Sequence, residues 1–221
     1  MEFLFAFLCL GIMTIFIYYE NKERYGLAVL LKGLASLTFV IFGFMCATMC
    51  KDQQFAKMVK IGLILGMVAD ILLNLRHVFK KEGKIIFLVG ILVFMAGHIM
   101  YLCALIPNCS NLIVPMIAGI ALTALIIFWI FKKIEAPAAF KIFGIFYIGA
   151  IVLMNCFAVT NLIENPCARN TVFMIGAISF LISDIVLILN TFGKEEKFSL
   201  RVTNLSLYYI GQLLIAFCLC L

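Results

Sequence analysis

Apolar residues run through this chain in eight long blocks, and nearly all the charge sits in short clusters between them. The blocks lie near 2–19, 26–49, 56–75, 85–106, 111–131, 140–160, 170–192 and 201–221. Each holds roughly 20 residues, the length an α-helix needs to cross a hydrocarbon core ~30 Å thick. No water reaches that depth, so a spanning segment must satisfy its own backbone groups, which a helix does and a lone strand does not. The pattern predicts an all-α, polytopic integral membrane protein, an eight-helix transmembrane bundle forming a single transmembrane domain over residues 1–221. Pro107, Pro115, Pro137 and Pro166 fall in or beside the connections, where helices are punctuated. No Gly/Ser linker, low-complexity tract or internal repeat is visible, and the last point argues against an inverted-repeat transporter.

The first block is followed, not preceded, by its basic residues Lys22 and Arg24, so it reads as a retained span and not a cleaved signal. The formal charge of +6 does not suggest nucleic acid, because no basic tract is interleaved with exposed aromatics. The basic residues gather at helix ends. The odd-numbered connections and their flanks hold Lys22, Arg24, Arg76, Lys80, Lys81, Lys84, Lys132, Lys133, Lys141, Lys194, Lys197 and Arg201, whereas the even-numbered ones hold Lys51, Lys57, Lys60 and Arg169. That bias places the odd connections in the cytoplasm and both termini on the extracytoplasmic side of a bacterial inner membrane or a eukaryotic endomembrane.

Two carboxyl groups interrupt the apolar runs, Asp70 in GLILGMVADILLNL and Asp184 in GAISFLISDIVLIL. A central Asp costs about 2.5–3.5 kcal/mol on insertion scales, so two of them on separate helices call for a use. At 1.5 Å per residue, Lys32 lies about 9 Å inside the cytoplasmic edge, Asp70 about 8 Å, Asp184 about 12 Å, and Tyr147 and Tyr208 about 10 Å. Gln212 follows Tyr208 on the same helix face, while His98 is about 20 Å deep with Tyr101 one turn further. Polar groups from six spans are thus expected to converge on one layer toward the cytoplasmic side of the membrane, forming a buried polar cavity.

Each group also has a plainer reading. Asp70 could pair with Lys32 and tie span two to span three, a role compatible with catalysis. Asp184, next to Ser183 in a run with Gly176 and Ser179, could make an interhelical hydrogen bond to Tyr208 or Gln212. Alternatively, removed from water, it would keep a proton and serve as a general acid. His98 reads as a hydrogen-bonded core histidine, His77 as a solvated group at the edge, and Gly62 and Gly66 as a helix-packing GxxxG. With two histidines a three-histidine zinc site cannot be built, the lack of a CxxC pair argues against a structural zinc site, and no metal or cofactor is expected. Most of the nine cysteines are small apolar packing residues, though Cys109 and Cys167, in loops on one side, could pair. Serine-hydrolase and phosphate-loop motifs are absent.

Taken in order, the fragments LLKGLASL (Lys32), GMVADILL (Asp70), GILVFMAGHIMY (Gly90, Phe94, His98, Tyr101), YIGAIVLMNCFA (Tyr147, Met154), GAISFLISDIVLIL (Gly176, Phe180, Ser183, Asp184) and LYYIGQLLIA (Tyr208 or Tyr209, Gln212) resemble the YhhN family, the transmembrane protein 86 or lysoplasmalogenase group. The resemblance runs from about residue 30 to the C-terminus. It implies hydrolysis of the vinyl ether bond of lysoplasmalogens to a fatty aldehyde and glycerophosphoethanolamine or glycerophosphocholine, without a cofactor. The partners implied are a lysophospholipid substrate and membrane lipids. Asp70 and Asp184 are then the catalytic carboxyls, with Asp184 the better candidate acid and Asp70 the base or electrostatic stabiliser. Lys32, His98, Tyr101, Tyr147, Ser183, Tyr208 and Gln212 support them or bind substrate, and Lys32 meets either a carboxylate or the lipid phosphate. The rival reading is a proton-coupled transporter or lipid-binding membrane protein that uses the same carboxyls.

Overall fold

The computed structural model describes residues 2–221, and among them the chain forms eight α-helices and no strand. These are α1 (Glu2–Asn21), α2 (Tyr25–Ala47), α3 (Gln53–Leu75), α4 (Gly83–Leu105), α5 (Ile113–Phe131), α6 (Ala138–Glu164), α7 (Ala168–Phe192) and α8 (Phe198–Phe217). All eight are long and apolar enough to cross a membrane. The outward face is apolar as well: Phe7, Ile113, Leu125, Phe146 and Ile163 are each more than 60% exposed, a surface suited to lipid and not to water.

The helix ends depart from the hydropathy blocks where polar side chains find partners. α3 starts three residues earlier than expected because the Asp52 carboxylate caps it, accepting the Phe55 N–H at 3.0 Å. α6 runs to Glu164, past the expected end near 160. Asn161 Nδ2 donates to the Leu105 carbonyl at 2.9 Å, and the Glu164 carboxylate accepts the N–H groups of Ser110 and Asn111 at 2.6 and 3.1 Å. Polar residues that dock onto the end of α4 and the α4–α5 connection let the helix continue where hydropathy falls. α8 tightens at its end into a 3-10 turn at Cys218–Cys220.

Short connections make successive helices antiparallel, so the α1–α2, α3–α4, α5–α6 and α7–α8 connections share one face, here termed the basic face. Contacts across it tie distant parts of the chain. The Tyr25 ring stacks on His77 at 5.0 Å, Phe87, Phe140 and Phe192 form a ring cluster, and Arg201 pairs with Glu20 at 2.7 Å. α8 is the most enclosed helix, packed on α7, α2, α1 and α3. α5 is the least enclosed and lies chiefly along α6.

Glycine sets the closest crossings. On α7 and α8, a Cβ added to Gly176 or to Gly211 would lie 2.9 Å from the carbonyl oxygen of the other, so the two backbones touch. On α3, a Cβ at Gly62 would fall 2.3 Å from the Tyr101 ring, and one at Gly66 2.8 Å from Gln212 Nε2. The GxxxG pair therefore makes room for two polar side chains as well as for helix α4.

Replacing Gly176 with valine should force α7 and α8 apart and destabilise the protein by about 1–3 kcal/mol, the usual cost of overpacking. Thermal unfolding in detergent should show a clear fall for Gly176→Val and none for Gly11→Ala, whose Cβ would meet nothing within 4 Å.

Candidate active site

Asp70 is enclosed by three donors from two helices, α2 and α8. Lys32 Nζ lies 3.1 Å from its Oδ1, while Ser36 Oγ and the Tyr208 hydroxyl donate to Oδ2 at 2.6 and 2.5 Å. Lys32 and Ser36 stand one turn apart on α2 and so present to α3 together. Lys32 is 4% and Asp70 1% exposed. A second layer holds the tyrosine: Tyr101 donates to Gln212 Oε1 at 2.7 Å, and Gln212 Nε2 reaches the Tyr208 oxygen at 3.5 Å. One hydrogen-bonded chain thus runs from α4 through α8 to α3 and α2.

Asp184, also 1% exposed, is held more sparingly. The Tyr147 hydroxyl donates to its Oδ2 at 2.6 Å, and His98 Nε2 lies 3.8 Å from the same oxygen. Among the described residues no donor reaches Oδ1. The His98 ring is enclosed by aromatics, edge-on to Phe180 at 4.5 Å and flanked by Phe94 and Tyr147 at 5.7 Å, and among the described residues neither of its nitrogens has a hydrogen-bond partner. Beside Asp184, Ser183 Oγ donates to the Asn204 carbonyl at 2.9 Å, and Asn204 Nδ2 returns bonds to the Ser183 carbonyl and hydroxyl. This clamp fixes α7 on α8 at the level of the acid.

Both carboxyls line one polar cavity, together with Lys32, Asn74, Arg76, Arg201 and Tyr208. Asn74 Nδ2, in its wall, is a buried donor without a partner among the described residues. An apolar cleft adjoins it, bounded by α4, α5, α6 and α7, and the two share Leu73, Phe87, Phe94 and Leu187. Tyr147 contributes its ring to the cleft and its hydroxyl to Asp184. Among the described residues no group of three or more His, Cys, Asp or Glu side chains is gathered to hold a metal ion.

Several expectations change. Asp184 bonds to Tyr147, not to Tyr208 or Gln212; Tyr208 serves Asp70 instead. Lys32 is committed to Asp70, so it is not the free cation for a phosphate. His98 is not a hydrogen-bonded core histidine, and it sits nearer Asp184 than a difference of about 8 Å in depth implies. Side chains lean toward their helix N-terminus; α4 starts at the basic face and α7 ends there, so His98 and Asp184 lean toward each other. Gln212, Tyr101 and Ser183 stand behind the cavity wall as supports. Cys109 and Cys167 are free thiols.

Ser36, Asn74, Asn204, Arg76 and Arg201 were missed. The first three lie four residues from Lys32, Asp70 and Tyr208, and the helix-face rule finds them once it is applied to polar residues. The arginines read as loop charge. Arg201 instead turns inward to a two-pronged pair with Glu20 at 2.8 and 2.7 Å.

His77 is half-buried, not solvated. Its Nε2 accepts the Arg76 Nε–H at 3.2 Å, and burial, with the Arg76 charge second, pushes its pKa down to about 4. The neutral ring is the form the fold favours. Its contribution to stability is therefore complete above the ordinary value of 6.5 and is lost as pH falls from there through about 4. The His77 imidazole signals in an NMR titration should stay unchanged from about pH 8 to about pH 5.5, and a midpoint near 6.5 would contradict this packing.

No curated protein and no solved structure matches the chain. The sequence model of the YhhN family matches residues 27–219, which spans α2 through α8 and every side chain of the cavity named above. The chain therefore belongs to the YhhN family.

Proposed function

We propose that this protein is an intramembrane hydrolase that cleaves the vinyl ether bond of lysoplasmalogens, releasing a fatty aldehyde and glycerophosphoethanolamine or glycerophosphocholine. The observation that supports this reading is one cavity lined by two carboxyls in different environments, beside an adjoining apolar cleft. Family membership is consistent with it.

A vinyl ether resists water until its β-carbon is protonated. Asp184 is suited to that step, because one oxygen is held by Tyr147 while the other is uncommitted. Proton delivery converts the ether into an oxocarbenium ion. Asp70, paired with Lys32 and held by the Ser36 and Tyr208 hydroxyls, faces the same cavity and stabilises the cation. Water adds to the cationic carbon and gives up a proton to the Asp184 carboxylate, restoring the acid. The hemiacetal then breaks its bond to the glycerol oxygen, which takes the proton from the hemiacetal hydroxyl as the aldehyde forms. One water is consumed and no electron acceptor is needed. With the basic face in the cytoplasm, as the lysine and arginine bias predicts, the headgroup stays at that surface.

Purified protein in a nonionic detergent should release aldehyde from a lysoplasmalogen, where no gradient exists to support transport. Asp184→Asn and Asp70→Asn should each lower kcat by at least about a hundredfold, the low end of acid–base catalysis. Tyr147→Phe should lower it by a smaller factor with the protein still folded by thermal unfolding. Near-normal turnover in either Asn variant removes that carboxyl from the mechanism. Wild-type protein that binds the lipid but releases no aldehyde favours a binding or transport protein.

A further inference from the structure

Three cations line the polar cavity, and two of them are already neutralised, Lys32 by Asp70 and Arg201 by both oxygens of Glu20. Arg76 is different. Among the described residues no carboxylate lies within 4.0 Å of it. Its Nε is used by His77, and its guanidinium carbon sits 4.1 Å over the Phe87 ring, which fixes the plane of the group. Among the described residues the two terminal amino groups have no acceptor. Burial, with the Arg201 charge second, pulls the Arg76 pKa down to about 10, which leaves it fully charged at neutral pH. An oriented cation with a free donor edge and no acid is an anion site.

Its place in the fold says which anion. Arg76 belongs to the wall of the polar cavity and to that of a wider recess on the basic face, where Glu23, Lys80 and Lys84 also stand. With His77 neutral, the three cations outweigh the single carboxylate. Phe87 borders the recess, the polar cavity and the apolar cleft, so all three compartments meet at one ring. A ligand that fills them in sequence is anionic at one end and apolar at the other, with its linking carbons beside Asp70 and Asp184. A tetrahedral phosphate matches the paired amino groups of a guanidinium.

We infer that Arg76 binds the phosphate of a single-chain phospholipid, with Lys80 and Lys84 on its outer side and the hydrocarbon chain in the cleft between α4 and α6. This rests on the hydrolase reading for the position of the reacting bond alone; the phosphate contact is a matter of binding.

The test therefore uses ligands that cannot be cleaved. Affinities of purified protein in nonionic detergent are measured for a saturated alkyl-ether glycerophosphocholine, for the alkylglycerol of the same chain without phosphate, and for glycerophosphocholine without a chain. The wild type should prefer the phosphorylated ether over the alkylglycerol by about tenfold or more. Arg76→Gln should weaken the phosphorylated ether by about tenfold, leave the alkylglycerol within about twofold, and so erase the preference, while Arg76→Lys recovers part of it. The exposed double variant Lys80→Gln/Lys84→Gln gives a reading free of folding effects. It should lose a few-fold in affinity for the phosphorylated ether at low salt and none in about 0.5 M salt. Equal weakening of both chain ligands in Arg76→Gln, with the lysine variant unchanged, overturns the proposal. So does glycerophosphocholine binding as tightly as the ether, which would make the site one for free phosphate compounds. Wild-type protein with this Arg76-dependent preference but no aldehyde release keeps the phosphate site and removes the hydrolase.

Discussion

A lysine and an aspartate meet 3.1 Å apart inside the bundle, both almost fully withdrawn from the surroundings, and much of the interior is arranged around that contact. Either charge alone would be expensive. Breaking a buried pair by removing one partner costs about 3–5 kcal/mol, because the survivor has no medium to solvate it. The pair itself is weak evidence of net stability, but it fixes positions: α2 cannot rotate or slide on α3 without stranding a charge. Ser36 and Tyr208 both donate to the other oxygen of the carboxylate, and Gln212 and Tyr101 carry the network on through α8 to α4.

The same logic separates the two acids. Asp70 has a cation and two hydroxyl donors; Asp184 has one tyrosine and a histidine beyond hydrogen-bond distance. Chemically identical groups a short way apart in one cavity are thereby given different characters, and the difference is written in their neighbours. Close glycine crossings make this possible. Gly62 and Gly66 leave space for Tyr101 and Gln212, and Gly176 against Gly211 seats α7 directly on α8.

The helices, the polar layer and the Lys32–Asp70 pair were legible in the sequence, because hydropathy blocks fix depth and charges at the same depth seek each other. Partner choice was not. Tyr147 and Tyr208 lie at nearly the same depth, and which one meets Asp184 depends on the rotational phase of α6 and α8, which depth leaves open. His98 shows a second gap, since counting residues along an axis ignores the lean of side chains toward the helix N-terminus. Arg76 and Arg201 show a third. A tally of loop charge treats every basic residue as facing water, yet Glu20 draws Arg201 inward, and the Phe87 ring and His77 hold Arg76 at the cavity wall. An isolated carboxylate at the end of the first span was the clue to the former.

α5 lies chiefly along α6 and supplies no side chain to the hydrogen-bonded groups around Asp70 or Asp184. It nevertheless forms one wall of the apolar cleft through Ile127, Ile130 and Phe131. Movement of this outer helix would change the width of the cleft mouth without breaking any bond that orients the carboxyls. The architecture thus separates a hydrogen-bonded half that fixes both carboxyls from an apolar flank whose width is set by one loosely enclosed helix.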